Sequence, residues 1–226
     1  MNELRKGLPD LPARMRALPV DERGYPVPYF VAWVNGKPDH RIMDSAKLPR
    51  AVNLGLCWMC GQQLGKFKSF CIGPMCSITR TISEPPSHLE CLQFAARACP
   101  WMTRPNAKRR EANMPAEVVE PAGDGIRRNP GAVCIWTTLR FRPWRPPGGG
   151  VLFQLGDPEH TEWYAEGRPA TRAEVDESIR TGLHLLRGPA EQEDAANPSA
   201  GAVVELEQRI ARETARLDRQ LWPEAA

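Results

Sequence analysis

The chain has 226 residues, 42% of them hydrophobic, which is enough to bury a sizeable core in one domain or in two small ones. Its formal net charge of +3 is weakly basic, so it permits nucleic-acid binding without arguing for it. No apolar run reaches the length of a membrane span, and no apolar signal core follows the N-terminus. We therefore expect a cytoplasmic protein with no membrane partner.

The N-terminal part of the chain predicts an irregular arm followed by a hairpin. Residues 1–26 are irregular apart from a short helical pattern. The β-forming run at residues 29–34 leads directly into Asn35-Gly36, a pair typical of a type I′ turn. Residues 40–43 then supply the returning strand.

Four residues further along have the types and spacing of zinc ligands. Cys57 and Cys60 form a Cys-x2-Cys pair, and His88 and Cys91 form a His-x2-Cys pair after an insert of residues 61–87. Tetrahedral zinc takes four such ligands. Five of the 7 cysteines lie between positions 57 and 91, which fits a metal site better than a secreted disulfide framework. The sequence therefore predicts one zinc ion, enclosed by protein ligands and structural in role.

The sequence around both pairs predicts how they are presented. Gly61 suits a tight knuckle turn after Cys60, in which backbone amides point toward the thiolates. Ser87 and Glu90 match the S-x-x-E capping box, which predicts a helix from just after Ser87 to Cys99. The second ligand pair then lies on one face of the first helical turn.

A knuckle, an extended segment and a helix whose first turn gives two ligands resemble the treble-clef zinc finger, over residues 55–100. The resemblance implies a structural zinc ion with four ligands, Cys57, Cys60, His88 and Cys91. The insert is longer than a minimal hairpin and contains Cys71 and Cys76, each of which is an alternative ligand. The same motifs loosely resemble uncharacterised proteins of phages and bacteria, a likeness that implies no activity.

After the metal motifs the composition changes. Residues 103–131 lose the apolar periodicity, which indicates a basic, proline-rich linker between a hairpin and zinc module at 27–102 and a second module at 132–188. Two basic clusters are candidate nucleic-acid contacts, although a solvated surface is the commoner use of such residues. They are Lys108, Arg109, Arg110, Arg140, Arg142 and Arg145.

The second module is predicted as strands followed by a helix. Residues 133–142 indicate a strand whose last part alternates, and residues 151–155 and 161–165 indicate a hairpin. A second capping box opens an amphipathic helix over residues 172–187, which the following Gly-Pro pair is expected to end. In the last part, 189–226, a linker leads to an amphipathic helix that docks on its own chain or mediates self-association.

Together these patterns predict an α+β protein: a small N-terminal β-hairpin and treble-clef zinc module, then a strand-rich module covered by amphipathic helices. No nucleophile elbow, phosphate loop or His-Glu-x-x-His motif is present, so whether the protein is an enzyme stays open. We expect a zinc-supported module that binds protein or nucleic acid. The alternatives are thiol chemistry at Cys71 and Cys76, or a DNA- or RNA-processing enzyme such as a treble-clef nuclease using His40, His160 or His184.

Overall fold

The computed structural model describes residues 2–105, 107–108, 110–112, 114, 122–123 and 128–221. Within them the protein is α+β, as predicted. Its strands are β1 (Val31–Val34), β2 (Lys37–Met43), β3 (Lys68–Ile72), β4 (Thr81–Ile82), β5 (Ala132–Thr138), β6 (Phe141–Trp144), β7 (Leu152–Leu155), β8 (Pro158–Ala165) and β9 (Arg168–Pro169). Its helices are a 3₁₀ turn at Ala13–Met15, α1 (Lys47–Leu54), α2 (Pro74–Thr79), α3 (Leu89–Ala98), α4 (Arg172–Gly182), α5 (His184–Ala196) and α6 (Ala202–Leu221). No helix in these residues is both long enough and apolar enough to cross a membrane.

The N-terminal hairpin has the predicted turn. β1 and β2 run antiparallel with Val34 opposite Lys37. Asn35 and Gly36 between them have φ angles of 50° and 75°, the left-handed values that a type I′ turn requires. The returning strand starts at Lys37, earlier than predicted. In a two-residue turn the residue that follows the turn, Lys37, pairs directly with the residue that precedes it, Val34.

The centre of the molecule is an antiparallel sheet of four strands in the order β3-β5-β8-β9. Every residue of β5 is buried, since the strand has neighbours on both sides and packed side chains on both faces. Trp136 faces one core, with α2, α4 and α6, and Ile135 faces the other, with α3 and the knuckle. β3 and β5 come from the two predicted modules, so those modules share this sheet; their division stays a prediction.

The prediction of a single strand over residues 133–142 is wrong. β5 ends at Thr138, and β6 begins at Phe141 in a separate sheet of three strands, in the order β4-β7-β6. The chain bends between them because the Thr138 hydroxyl accepts from the Arg140 amide at 3.3 Å and has two carbonyls within reach of its one proton, those of Asp157 at 2.8 Å and Arg140 at 3.0 Å. This local bonding replaces continued pairing with β8.

The predicted hairpin of residues 151–155 and 161–165 is also wrong. Both segments are strands, but β7 pairs with β4 and β6, whereas β8 pairs with β5 and β9. The chain passes from one sheet to the other at Gly156. A side chain has no room there, because a Cβ would lie 2.5 Å from the Arg140 carbonyl oxygen. The glycine therefore permits a change of sheet rather than a turn.

The capping box at the start of α4 is formed in both directions, with Thr171 and Glu174 bonding each other's backbone amides. The predicted end of this helix is wrong. α4 stops at Gly182, and α5 runs through Pro189 to Ala196. Proline there removes one intrahelical hydrogen bond, whose acceptor would be the carbonyl of the exposed Leu185, so water can replace it. The predicted linker is correspondingly shorter.

The C-terminal helix α6 packs on its own chain. Leu217 is 3% exposed and joins the core with α2 and α4. The buried carboxylate of Glu213 accepts from Arg80 Nη2 at 2.9 Å, and the guanidinium groups of Arg80 and Arg216 lie over the Trp136 ring. Self-association through this helix stays a prediction.

Candidate metal centre

The four predicted ligands meet at one point. The sulfur atoms of Cys57, Cys60 and Cys91 and a ring nitrogen of His88 all lie within 4.8 Å of one another. The distance from Cys60 Sγ to His88 Nδ1 is 3.4 Å, close to the separation of about 3.6 Å that these atoms have around tetrahedral zinc. In the part of the chain that the structure describes, this is the one group of three or more His, Cys, Asp or Glu side chains placed to hold a metal ion.

The knuckle forms as its sequence predicts. The Gly61 amide donates to the Cys57 carbonyl at 2.8 Å, and the Cys60 amide points at Cys57 Sγ at 3.4 Å. Gly61 has a φ of +73°, and a Cβ on it would lie 2.8 Å from the Tyr29 ring. Only glycine fits both conditions. The turn and its packing against the hairpin therefore depend on this residue.

The second ligand pair is presented differently from the prediction, because the capping box at Ser87 does not form. His88 is the N-cap of α3, and no side chain caps the helix. Ser87 is held extended by two backbone hydrogen bonds with Ser69 of β3, at 3.0 and 2.8 Å. The His88 amide instead points at Cys57 Sγ, at 3.3 Å. A cysteine sulfur thus takes the place of a cap, at a helix end that favours negative charge.

The His88 ring is oriented by a backbone group. Its Nε2 lies 3.1 Å from the carbonyl oxygen of Gln63, and a carbonyl only accepts, so Nε2 carries the proton. The Nδ1 lone pair is then free to face the sulfur atoms, which is how metal-binding histidines are usually held. No sequence pattern marks Gln63 for this role, because every residue has a carbonyl.

The thiols of the cluster differ in acidity. Cys57 accepts hydrogen bonds from the thiols of Cys60 and Cys91 and from the backbone amides of Cys60 and His88. These bonds hold the pKa of the Cys57 thiol far below its usual value. The pKa values of Cys60 and Cys91 are raised because each thiol donates to Cys57 and lies beside its charge. Three sulfur atoms this close suit a bound cation, which neutralises their repulsion.

The two alternative ligands, Cys71 and Cys76, do not belong to the cluster. Cys71 is in β3 and Cys76 is in α2. Burial raises the pKa of the Cys76 thiol to about 11 and that of the Cys71 thiol further. Neither has the low pKa that a reactive thiol needs.

The basic residues predicted to meet nucleic acid lie in different parts of the fold. Lys108 and Arg110 are exposed beside the hairpin, where the Arg110 carbonyl accepts from Arg41. Arg109 lies outside the described residues. The other three are on or next to β6: Arg140, Arg142 and Arg145.

Comparison with protein-family models, with curated proteins and with solved structures finds no match to this chain. The site itself therefore defines the class: an α+β protein with a Cys3His cluster that could hold a metal ion. The insert between the ligand pairs contains β3, α2 and β4 rather than a single extended hairpin.

Proposed function

We propose that this protein binds one zinc ion through Cys57, Cys60, His88 and Cys91, and that the ion supports a module that binds another macromolecule. The observation that carries the proposal is the His88 ring, whose Nε2 is held by a backbone carbonyl while Nδ1 faces the sulfur atoms. Three thiolates and an imidazole favour zinc over magnesium or calcium, which take oxygen ligands.

The proposed role of the ion is structural. Four protein ligands fill a tetrahedral shell and leave no position for a reacting water. The ion would join the knuckle to the start of α3. Within the described residues these two segments are also connected by Trp58 N to Pro86 O, at 3.0 Å, and by the contacts of His88 with Cys57 Sγ and with the Gln63 carbonyl. Zinc binding energy at such a site is folding energy.

Metal analysis of the purified protein tests this proposal. We expect one zinc per chain by elemental mass spectrometry, and loss of that zinc in Cys91→Ala. Cys76→Ala is the matched control, because Cys76 is a partly buried cysteine outside the cluster. Zinc retained in Cys91→Ala, or lost equally in both variants, would contradict the ligand set.

For the partner, we favour single-stranded nucleic acid, on the outer face of β6. Strand alternation puts Phe141 on the core face, where it contacts Phe70 and Phe153. Arg142 and Trp144 therefore share the outer face, and Trp144 is 36% exposed. Exposed arginine beside an exposed aromatic ring is the combination that stacks bases and meets phosphates.

The charges around β6 support the same partner. Within the described residues, the side chains of Arg140, Arg142 and Arg145 form no ion pair, whereas most other arginines do. A polar recess of about 410 Å³ lies beside Gln154, the residue opposite Arg142, and is also lined by Arg209 and Arg212. The recess is mixed in charge, because Glu213 also lines it and Arg209 and Arg212 pair with Glu205 and Glu213.

Binding to a fluorescent oligo-dT tests the partner. We expect an affinity that falls steeply with salt, and a smaller salt slope in Arg142→Gln. Trp144→Ala should weaken binding by about tenfold, as the loss of one stacked base does. The control is Arg50→Gln, because Arg50 is an exposed, unpaired arginine of α1 among the described residues. No binding at low salt would rule this partner out and leave a protein partner.

The nuclease alternative receives no support from the histidines. His40 lies beside Asp21 at 3.2 Å, and burial lowers its pKa. His160 contacts Glu162 at 3.0 Å, and His184 is exposed at the start of α5. In the described part of the chain none of them belongs to a group that could hold a second metal ion.

A further inference from the structure

A large cavity lies next to the metal centre and is not part of it. It has a volume of about 900 Å³, within the range of small-molecule sites. The N-terminal arm, β2, the knuckle and α3 enclose it, together with the chain that follows α3. This space is therefore bounded by several elements rather than by a single loop.

The walls of the cavity are mainly apolar and aromatic. Phe30 and Trp58 are stacked with ring centroids 5.4 Å apart, and both line the space, as do Met59 and Phe94. The buried Trp58 Nε1 has no hydrogen-bond partner among the described residues. Such walls suit a ligand with an aromatic or alkyl body.

Glu84 places one carboxylate in this apolar setting. Its side chain is accessible to water, yet surrounding protein raises its pKa to about 6. Both properties follow if the carboxylate faces the interior space of the cavity rather than the outer surface. Among the described residues it has no hydrogen bond or ion pair. An unpaired carboxylate in such a place lowers the stability of the folded protein. It therefore indicates a binding position for a ligand of opposite charge.

The other charged groups of the cavity are already matched or lie in solvent. Asp21 pairs with Arg23 at 2.9 Å, and Lys37 with Glu22 at 2.7 Å. Lys108 and Arg110 also line the cavity, but both are exposed, so water and salt screen them. Glu84 is also accessible to water, but the raised pKa of its carboxyl indicates that protein lies around it, so an attraction toward it is screened less.

We propose that the cavity binds a small organic cation, an amine with an aromatic or alkyl body, whose ammonium group pairs with Glu84 while its body packs on Phe30 and Trp58. The proposal goes beyond the metal centre and the basic surface and depends on neither. The chemistry that selects the ligand is one unpaired carboxylate in an apolar enclosure.

Three probes of matched size test the charge preference on the full zinc-loaded chain: phenethylamine, 2-phenylethanol and 3-phenylpropionate. We expect the amine to bind about tenfold more tightly than the alcohol, the usual effect of one charge-assisted hydrogen bond. Glu84→Gln should remove that difference and leave alcohol binding unchanged. Glu159→Gln, at an exposed carboxylate of β8 outside the cavity, should behave as the unmodified protein.

The site of binding is read from the indole N–H signals in the NMR spectrum. The Trp58 signal should shift on adding the amine. The Trp163 signal should not, because Trp163 lies in the opposite core, and it is a matched control because its buried Nε1 is also without a partner among the described residues. Tighter binding of 3-phenylpropionate than of the amine would overturn the proposal in favour of an anion at Lys108 and Arg110. Equal amine binding with and without Glu84, or no shift with any probe, would also overturn it.

Discussion

Glu84 combines access to water with a raised pKa, and this makes the stability of the protein depend on pH. The pKa of this carboxyl is about 6 in the folded protein, above its ordinary value of 4.5, because the protein around it removes part of its solvation. Between these two values the folded state holds a proton that the unfolded chain has released. Stability is therefore lost as the pH rises through this window.

Glu84→Gln should remove this loss. We expect the variant to match the unmodified protein near pH 4.5 and to be more stable at pH 7, by about 1 kcal/mol after allowing for water in the cavity. Urea unfolding of both zinc-loaded proteins at several pH values measures the difference. If the unfolding free energies of the two proteins differ by the same amount at every pH between 4.5 and 7, Glu84 is not desolvated.

The spacing of the cysteines and His88 was enough to predict which four side chains come together in the Cys3His cluster, because two close ligand pairs are a local pattern. Glu84 could not be predicted in the same way. Its setting is created by the arm, the hairpin and α3 together, which are distant in sequence. Gln63 was missed because it contributes only its carbonyl to the His88 ring.

At the scale of elements, two capping-box sequences, Thr171-x-x-Glu174 and Ser87-x-x-Glu90, have different outcomes. The capping box at Thr171 forms, and the one at Ser87 does not, because β3 holds Ser87 extended. We expect Thr171→Ala to cost about 1 kcal/mol of unfolding free energy, since it removes a cap. Ser87→Ala should cost less than Thr171→Ala, because no cap is lost and the backbone bonds of Ser87 to Ser69 remain.

Chemical denaturation of the two alanine variants, with zinc present, compares the caps directly. Equal losses would show that Ser87 does cap α3 in solution. A loss confined to Thr171→Ala would agree with the backbone pairing of Ser87 to Ser69.

The turn of the N-terminal hairpin was predicted, whereas the pairing of the later strands was not. The turn at Asn35 and Gly36 was predicted because its φ angles are encoded in two residues. The split between β5 and β6 was missed because the two strands belong to different sheets, β5 beside the distant β3 and β6 beside β7, the next strand in the chain. The apolar pattern of residues 133–142 does not indicate which strands its two halves pair with.

At the scale of the molecule, the central sheet connects the Cys3His cluster to the C-terminal half. Ser69 of β3 bonds Ser87 through its backbone and Thr137 of β5 through its hydroxyl, at 2.8 Å. A disturbance at the ligands therefore reaches β5 through one residue. We infer that the described part of the chain unfolds as one unit.

Zinc removal tests this inference. A strong chelator should lower the melting temperature of the whole protein in a single transition, seen equally by near- and far-ultraviolet circular dichroism. Cys91→Ala without chelator should reproduce the shift, and Cys76→Ala should not. An early transition that leaves a second one unmoved would instead support the two separate modules predicted from the sequence.

The sheet order also sets the sequence of events during synthesis. β3 leaves the ribosome well before its partner β5, so one edge of β3 stays unpaired while the intervening residues are made. The four ligands are complete as soon as Cys91 has emerged. We therefore expect the zinc available during translation, rather than zinc added afterwards, to determine how many nascent chains escape aggregation.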